Sequence, residues 1–170
     1  MKRLVLAMIA VVALVLPQGA LADGASTTVE PFPADFTMSS STCPNLPEGT
    51  TITGTGTGTS VTKTKTDRHG ITTVFNSTIA PGEATDQNDN RYRFLYKNQY
   101  RVSNTNANPA LYSGVMVDVF LLRGHGPARL RNGFVARITT DLGASFTFDP
   151  ISDFGDPIDF KTGMSHCDPL

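Results

Sequence analysis

The chain has 170 residues, with 14 Lys and Arg against 15 Asp and Glu, and a formal net charge of −1 at pH 7. This balance excludes the strongly basic footprint that is typical of nucleic-acid-binding proteins. The length fits a single domain that buries about two thirds of its unfolded surface.

The N-terminal residues have the three parts of a secretory signal peptide. A basic start precedes an apolar run over residues 4–16, and an A-L-A triplet at residues 20–22 fits a cleavage site. The apolar run is too short to span a bilayer, which takes about 20 residues. We predict a signal peptide over residues 1–22, secretion to the extracellular space, and no membrane attachment after cleavage.

The segment that follows is polar and is punctuated by proline. Residues 23–33 include Pro31 and Pro33, and we predict that this segment is a mobile lead-in. A single all-β domain is predicted over residues 34–170, beginning with a short strand at residues 34–40.

Residues 51–66, TITGTGTGTSVTKTKT, alternate threonine with glycine or other small residues over much of their length. Flexible linkers are usually rich in glycine and serine, whereas β-branched threonine favours strands. In a strand, threonine would occupy one face and glycine the other, where a second layer can approach closely. We therefore predict a long strand, with a bend or bulge near Ser60 and Val61, where threonine changes parity.

Alternation with a period of two continues along the rest of the chain. In residues 91–102, aromatic and apolar residues share one face and charged residues share the other, which is typical of a half-buried antiparallel strand. Residues 115–122 are apolar on both faces except for Asp118, so we expect this strand to be covered on both sides. Turn residues separate the strands and no segment has a helical period. We predict a single antiparallel β-barrel, with a β-sandwich as the alternative.

Cys43 and Cys167 are the two cysteines of the chain. An even cysteine count in an exported protein favours a disulfide, which here would tie the two ends of the domain together. Closing a loop of this length stabilises a fold by roughly 5 kcal/mol at most in the chain-entropy formula, while typical disulfides contribute about 2–4 kcal/mol. Neither cysteine has a metal-ligand spacing, so we predict no metal and no cofactor.

Two hypotheses about function rest on the two faces of the strands. The first is a non-catalytic domain that binds a small apolar molecule in a barrel interior or mouth. Its candidate residues, which would otherwise form a filled core, are Tyr92, Phe94, Tyr96, Tyr100 and Asp118. The second is a structural or surface-interaction module that meets an extracellular polymer through a basic outer face. The candidates for that face are Arg91, Arg93, Lys97, Arg101, Arg129, Arg131 and Arg137.

A third hypothesis is a secreted hydrolase of unknown type. The chain has none of the G-x-S-x-G, H-E-x-x-H or P-loop motifs, and we assign no catalytic residue. The candidates for an acid–histidine pair are Asp118, Glu83, His125 and His69. Asp118 interrupts an apolar strand, so either it pairs with Arg93 or Arg137 from a neighbouring strand, or its side of the strand is partly exposed.

The layout of these features resembles one group of known proteins. The features are an A-L-A signal, one Cys before the Gly/Thr-rich strand, the segment VDVFLLRGHGPARLRNGFVARITTD at residues 117–141, and a terminal CDPL. In this layout, most of residues 43–170 resembles uncharacterised small secreted all-β proteins of actinobacteria. The resemblance implies no activity, cofactor or residue role.

Overall fold

The computed structural model describes residues 24–143 and 145–157, which form an all-β domain, so the predicted fold class is confirmed. The eight strands are β1 (Ala25–Pro33), β2 (Phe36–Ser39), β3 (Thr51–Thr66), β4 (Thr72–Asp86), β5 (Arg91–Thr105), β6 (Asn108–Gly124), β7 (Leu130–Thr140) and β8 (Phe146–Gly155). Within these ranges there is no helix of the length and apolarity that crossing a membrane requires. The predicted signal peptide, residues 1–22, lies outside the described residues.

The strands belong to one antiparallel sheet in which β3 to β8 follow one another in chain order. β1 and β2 both pair with β3, so together they form one edge, while β8 forms the other. In the described part of the chain these edges are not joined, so the predicted closed barrel is wrong. The alternative, a β-sandwich, is wrong as well, because it requires two sheets and the described strands form one. The edges contain Pro31, Pro33 and Pro150, and proline has no amide hydrogen to donate to a closing strand.

The open sheet is nevertheless strongly curled. The ring of Phe36 in β2 lies 4.9 Å from that of Phe94 in β5 and 5.7 Å from that of Phe120 in β6, measured between centroids. Since β2 and β6 are four strand spacings apart in the sheet order, a flat sheet would separate them by about 19 Å. The curl gives the sheet a concave face, which carries these three rings, and a convex face.

The glycines of β3 make close packing on the concave face possible. A methyl group at Gly54 would overlap the ring of Phe36, and one at Gly58 would overlap the ring of Phe32. These rings belong to the edge formed by β1 and β2, which lies directly beside β3. The glycine face is therefore covered by rings from neighbouring strands of the same sheet, and not by the second layer that we predicted.

Of the bend or bulge predicted near Ser60 and Val61, the bulge is wrong. The pairing of β3 with β4 keeps one register along its whole length, and even-numbered residues face inward throughout β3. Because the pleat continues without a break, the threonines from Thr62 onward lie on the concave face, where Thr62 accepts a hydrogen bond from the buried Asn76. The register shifts that the described residues do contain lie at Ser103/Thr105 and at Val135/Ala136.

The predicted mobile lead-in is also corrected. Residues 25–33 form β1, which pairs with residues 57–65 of β3. Its threonines and Val29 favour extended backbone, and a strand edge tolerates the two prolines that suggested a loop. The short strand predicted at residues 34–40 is present as β2.

The core lies on the concave face in two clusters. The Phe94 cluster contains Cys43, Leu46, Ile52, Ala84, Tyr92, Phe94, Phe120, Leu122, Ala128 and Leu130. The Phe134 cluster contains Val74, Val102, Tyr112, Met116, Phe134, Ala136 and Ile138. The predicted partner of Cys43, Cys167, lies outside the described residues.

Candidate functional site

A row of polar side chains crosses the concave face. Ser60, Thr78, Asn98 and Asp118 are successive cross-strand partners on β3, β4, β5 and β6. All four have even numbers, so the pleat of the sheet directs them to the concave face. We call these four residues the polar row.

Asp118 is 5% exposed, and its Oδ2 accepts hydrogen bonds from the Tyr96 hydroxyl at 2.8 Å and the Asn98 amide at 2.5 Å. The predicted ion pair with Arg93 or Arg137 is wrong, because both arginines lie on odd positions of the opposite face. The alternative of a partly exposed Asp118 is wrong as well. Burial, and then the negative charge of Asp118, raise the pKa of Tyr96 far above its usual value.

The other end of the polar row is also hydrogen-bonded. Asn76 donates to the hydroxyls of Ser60 and Thr62, both at 2.9 Å, and Thr78 donates to Ser60 at 3.2 Å. Over residues 24–143 and 145–157, no buried side-chain nitrogen or oxygen lacks a hydrogen-bond partner. The buried part of the concave face is therefore a hydrogen-bonded polar network between two apolar clusters.

The residues predicted to face a ligand or the core all lie on the concave face. Tyr92 and Phe94 are buried within the Phe94 cluster, while Tyr96 and Tyr100 are half-buried and pack against the Phe94 and Phe134 clusters respectively. Two clefts of the described residues, of about 390 and 250 Å³, are lined by other residues. These aromatic side chains and Asp118 pack on the concave face and form neither of the two clefts.

The candidates for an acid–histidine pair are scattered. Asp118 lies on the concave face and Glu83 on the convex face. His69 lies in the turn from β3 to β4, and His125 lies in the turn from β6 to β7, at the opposite end of the meander. The described residues also contain no group of three His, Cys, Asp or Glu side chains that could hold a metal ion. Within the described residues, the four candidates named for an acid–histidine pair therefore do not come together.

The convex face collects the basic side chains. The structure places six of the seven predicted basic residues at outward positions of β5 and β7, and it places Arg129 in the turn before β7. Three further cations share this face and were not predicted: Lys63, Lys65 and Arg123. The alternation already present in residues 51–66 could have identified Lys63 and Lys65, since both have the parity of the outward threonines.

All Lys and Arg residues of β3 to β7 are therefore on one face. We call them the basic face: Lys63, Lys65, Arg91, Arg93, Lys97, Arg101, Arg123, Arg131 and Arg137. On these five strands the only outward carboxylate is Glu83, while Asp86 and Asp118 point to the concave side. Arg137 is also paired, at 3.8 Å, with Asp149 of β8.

Aliphatic side chains of β6 lie between the cations. Val115 is 44% exposed and Val117 is 36% exposed, so the expectation that this strand is covered on both sides is wrong. Outward positions of β5 and β7 carry Arg101 and Arg137 directly beside Val115. The basic face is therefore a charged surface with exposed aliphatic side chains between the cations.

Comparison of the chain with protein-family models, with curated proteins and with solved structures finds no match.

Proposed function

We propose that this chain is a secreted, non-catalytic domain that holds an anionic extracellular polymer on its basic face. The observation that carries the proposal is the segregation of charge, because all nine Lys and Arg residues of the five central strands point outward from the curl. Like charges on one surface create a potential that attracts polyanions over about a Debye length.

Protection of a sheet edge does not account for this arrangement. Charged residues often guard edge strands against pairing with other chains. The strands β3 to β7 have a neighbour on both sides, so their outward cations guard no edge. Mutual repulsion among these cations weakens the fold slightly, and a bound polyanion would relieve it.

Secretion and the disulfide between Cys43 and Cys167 belong to the same proposal, as does the resemblance to small secreted actinobacterial proteins. Two observations support the disulfide. Cys43 is fully buried, and Asn45 donates a hydrogen bond of 2.9 Å to the carbonyl of Pro157. This hydrogen bond holds Pro157, which lies ten residues before Cys167, close to Cys43, and a ten-residue segment is long enough to connect the two cysteines.

Binding to a polyanion is expected to be strongly salt-dependent. We expect long-chain polyphosphate to bind the mature protein at low ionic strength, and its Kd to rise at least about tenfold between 50 and 300 mM NaCl because screening shortens the Debye length. Titration calorimetry measures this, with neutral dextran as the control polymer. Absence of binding at 50 mM NaCl, or a Kd that does not change with NaCl concentration, would contradict the proposal.

A pair of matched variants locates the binding surface. Arg101→Glu reverses a charge within the basic face, whereas Ser41→Glu combined with Thr42→Glu gives the same change in net charge at exposed positions of the turn after β2. We expect Arg101→Glu to weaken polyphosphate binding by roughly fivefold or more, and the Ser41→Glu, Thr42→Glu variant by less than about twofold. Equal losses in the two variants would show that only net charge matters.

Reducing the proposed disulfide is expected to lower the free energy of unfolding by about 2–4 kcal/mol, because the unfolded chain regains loop freedom. Urea denaturation with and without reductant measures the change. Peptide mapping without reduction identifies the linkage, and finding both cysteines alkylated in the unreduced, unfolded protein would disprove it.

A further inference from the structure

One end of the basic face contains a shallow cleft of about 390 Å³. Its lining residues are Lys65, Asp67, Ile71, Thr73, Phe75 and Arg101. The volume falls within the range of small-molecule sites, which begins at about 300 Å³. The cleft therefore has room for one unit of a polymer that runs across the face.

Phe75 forms the apolar wall of the cleft. It is half-buried, and its cross-strand neighbours are Lys63 on β3 and Arg101 on β5. Among the outward residues of β3 to β7, Phe75 is the one aromatic side chain. The ring thus lies between cations that belong to strands about 10 Å apart.

Hydroxyl groups and one carboxylate complete the cleft. The hydroxyl of Thr73 lies 2.8 Å from that of Ser103, which gives a polar pair next to the ring. Asp67 at the turn accepts hydrogen bonds from the backbone N–H of Ile71 at 3.0 Å and of His69 at 2.8 Å. These bonds, that of Ile71 first, hold the pKa of Asp67 below its usual range, so Asp67 stays ionised beside Arg68 of the same turn.

We infer that this cleft binds one sugar unit of an acidic polysaccharide, and this inference rests on the function proposed above. The C–H groups of a pyranose face carry partial positive charge and fit the negative face of the Phe75 ring. The acidic group of the sugar is attracted to Lys65 and Arg101. The Thr73 and Ser103 hydroxyls match ring hydroxyls of the sugar.

A single-stranded nucleic acid also combines rings with anions, but it fits the face less well. Proteins that bind such strands supply aromatic side chains on which successive bases stack. Among the strands of the described residues, the second outward aromatic side chain is Phe154 on β8, four strand spacings from β4. Because Phe75 has no aromatic neighbour on the adjacent strands, it fits a single sugar contact better than a row of stacked bases, and the rest of the interface is mainly electrostatic.

The test compares three polyanions on the mature protein: polygalacturonate, ring-free polyphosphate and single-stranded oligothymidylate. Phe75→Leu keeps an apolar side chain but removes the ring, and Ile79→Ala is the matched control on the same strand, at a site 45% exposed and outside the cleft. We expect Phe75→Leu to weaken polygalacturonate binding by roughly five- to tenfold, the size of one aromatic contact, and polyphosphate binding by less than about twofold.

Amide chemical shifts of the wild-type protein give a readout that does not depend on a variant. Polygalacturonate is expected to shift the amides of Lys65, Thr73 and Arg101, and Ile79→Ala is expected to bind it like wild type. If polyphosphate and polygalacturonate both bind but neither depends on Phe75, the sugar site is disproved and the basic-face function stands. If only oligothymidylate depends on Phe75, the cleft is a base site instead. If no polyanion binds, both proposals fail.

Discussion

Phe94→Ala is expected to lower the free energy of unfolding by about 3–5 kcal/mol, the range for removing a buried phenyl ring. Phe94 is 4% exposed and packs edge-on against Phe36 and stacked against Phe120. Its ring also covers Gly56 and Gly82, where no side chain can fill the space it leaves. Removing the ring would leave a cavity where Phe36 of β2 packs against β5 and β6.

The neighbouring residue provides the control for Phe94. Leu95 is 38% exposed on the convex face, so Leu95→Ala is expected to cost less than about 1 kcal/mol. Urea denaturation followed by circular dichroism measures both variants. Similar losses in the two would mean that the Phe94 cluster does not hold the curl together.

Asp118→Ala is expected to lower the free energy of unfolding by about 2–4 kcal/mol, because it leaves buried donors without an acceptor. The Tyr96 hydroxyl and the Asn98 amide both donate to Asp118 Oδ2. Asp118→Asn retains one carbonyl oxygen at the same place, so its cost is expected to be clearly smaller. Denaturation of the two variants under identical conditions gives the comparison.

A double-mutant cycle separates this hydrogen-bond network from simple loss of volume. If Asp118 and Asn98 act through their mutual bond, Asp118→Ala and Asn98→Ala together should cost less than the sum of the single changes, by at least about 0.5 kcal/mol. Strict additivity would show that the polar row does not stabilise the fold as a connected unit.

The alternation within single strands was the most informative signal in the sequence. In residues 91–102 it separates Tyr92 and Phe94 from Arg91 and Arg93 correctly, because the pleat alone fixes which side chains share a face. The same rule places the cations of β7 on the convex face, and applied to β3 it also places Lys63 and Lys65 there. Most of the basic face was therefore predictable.

Alternation did not determine which face of an apolar strand is buried. In β6 both faces are apolar, and the structure exposes Val115 and Val117 while it buries Asp118. Burial here follows from the direction in which the whole sheet curls. That direction depends on contacts between distant strands, such as Phe36 with Phe120.

The sequence by itself determined the strand character of this chain and the faces that its side chains share, because both follow from local backbone geometry with a period of two. Only the tertiary structure decided that the sheet stays open, that Asp118 bonds to Tyr96 and Asn98, and that Phe75 lies in a cleft between Lys65 and Arg101. These features depend on which strands become neighbours and in what register. Pairing of that kind is set by the sum of many long-range contacts, and no short stretch of residues encodes it.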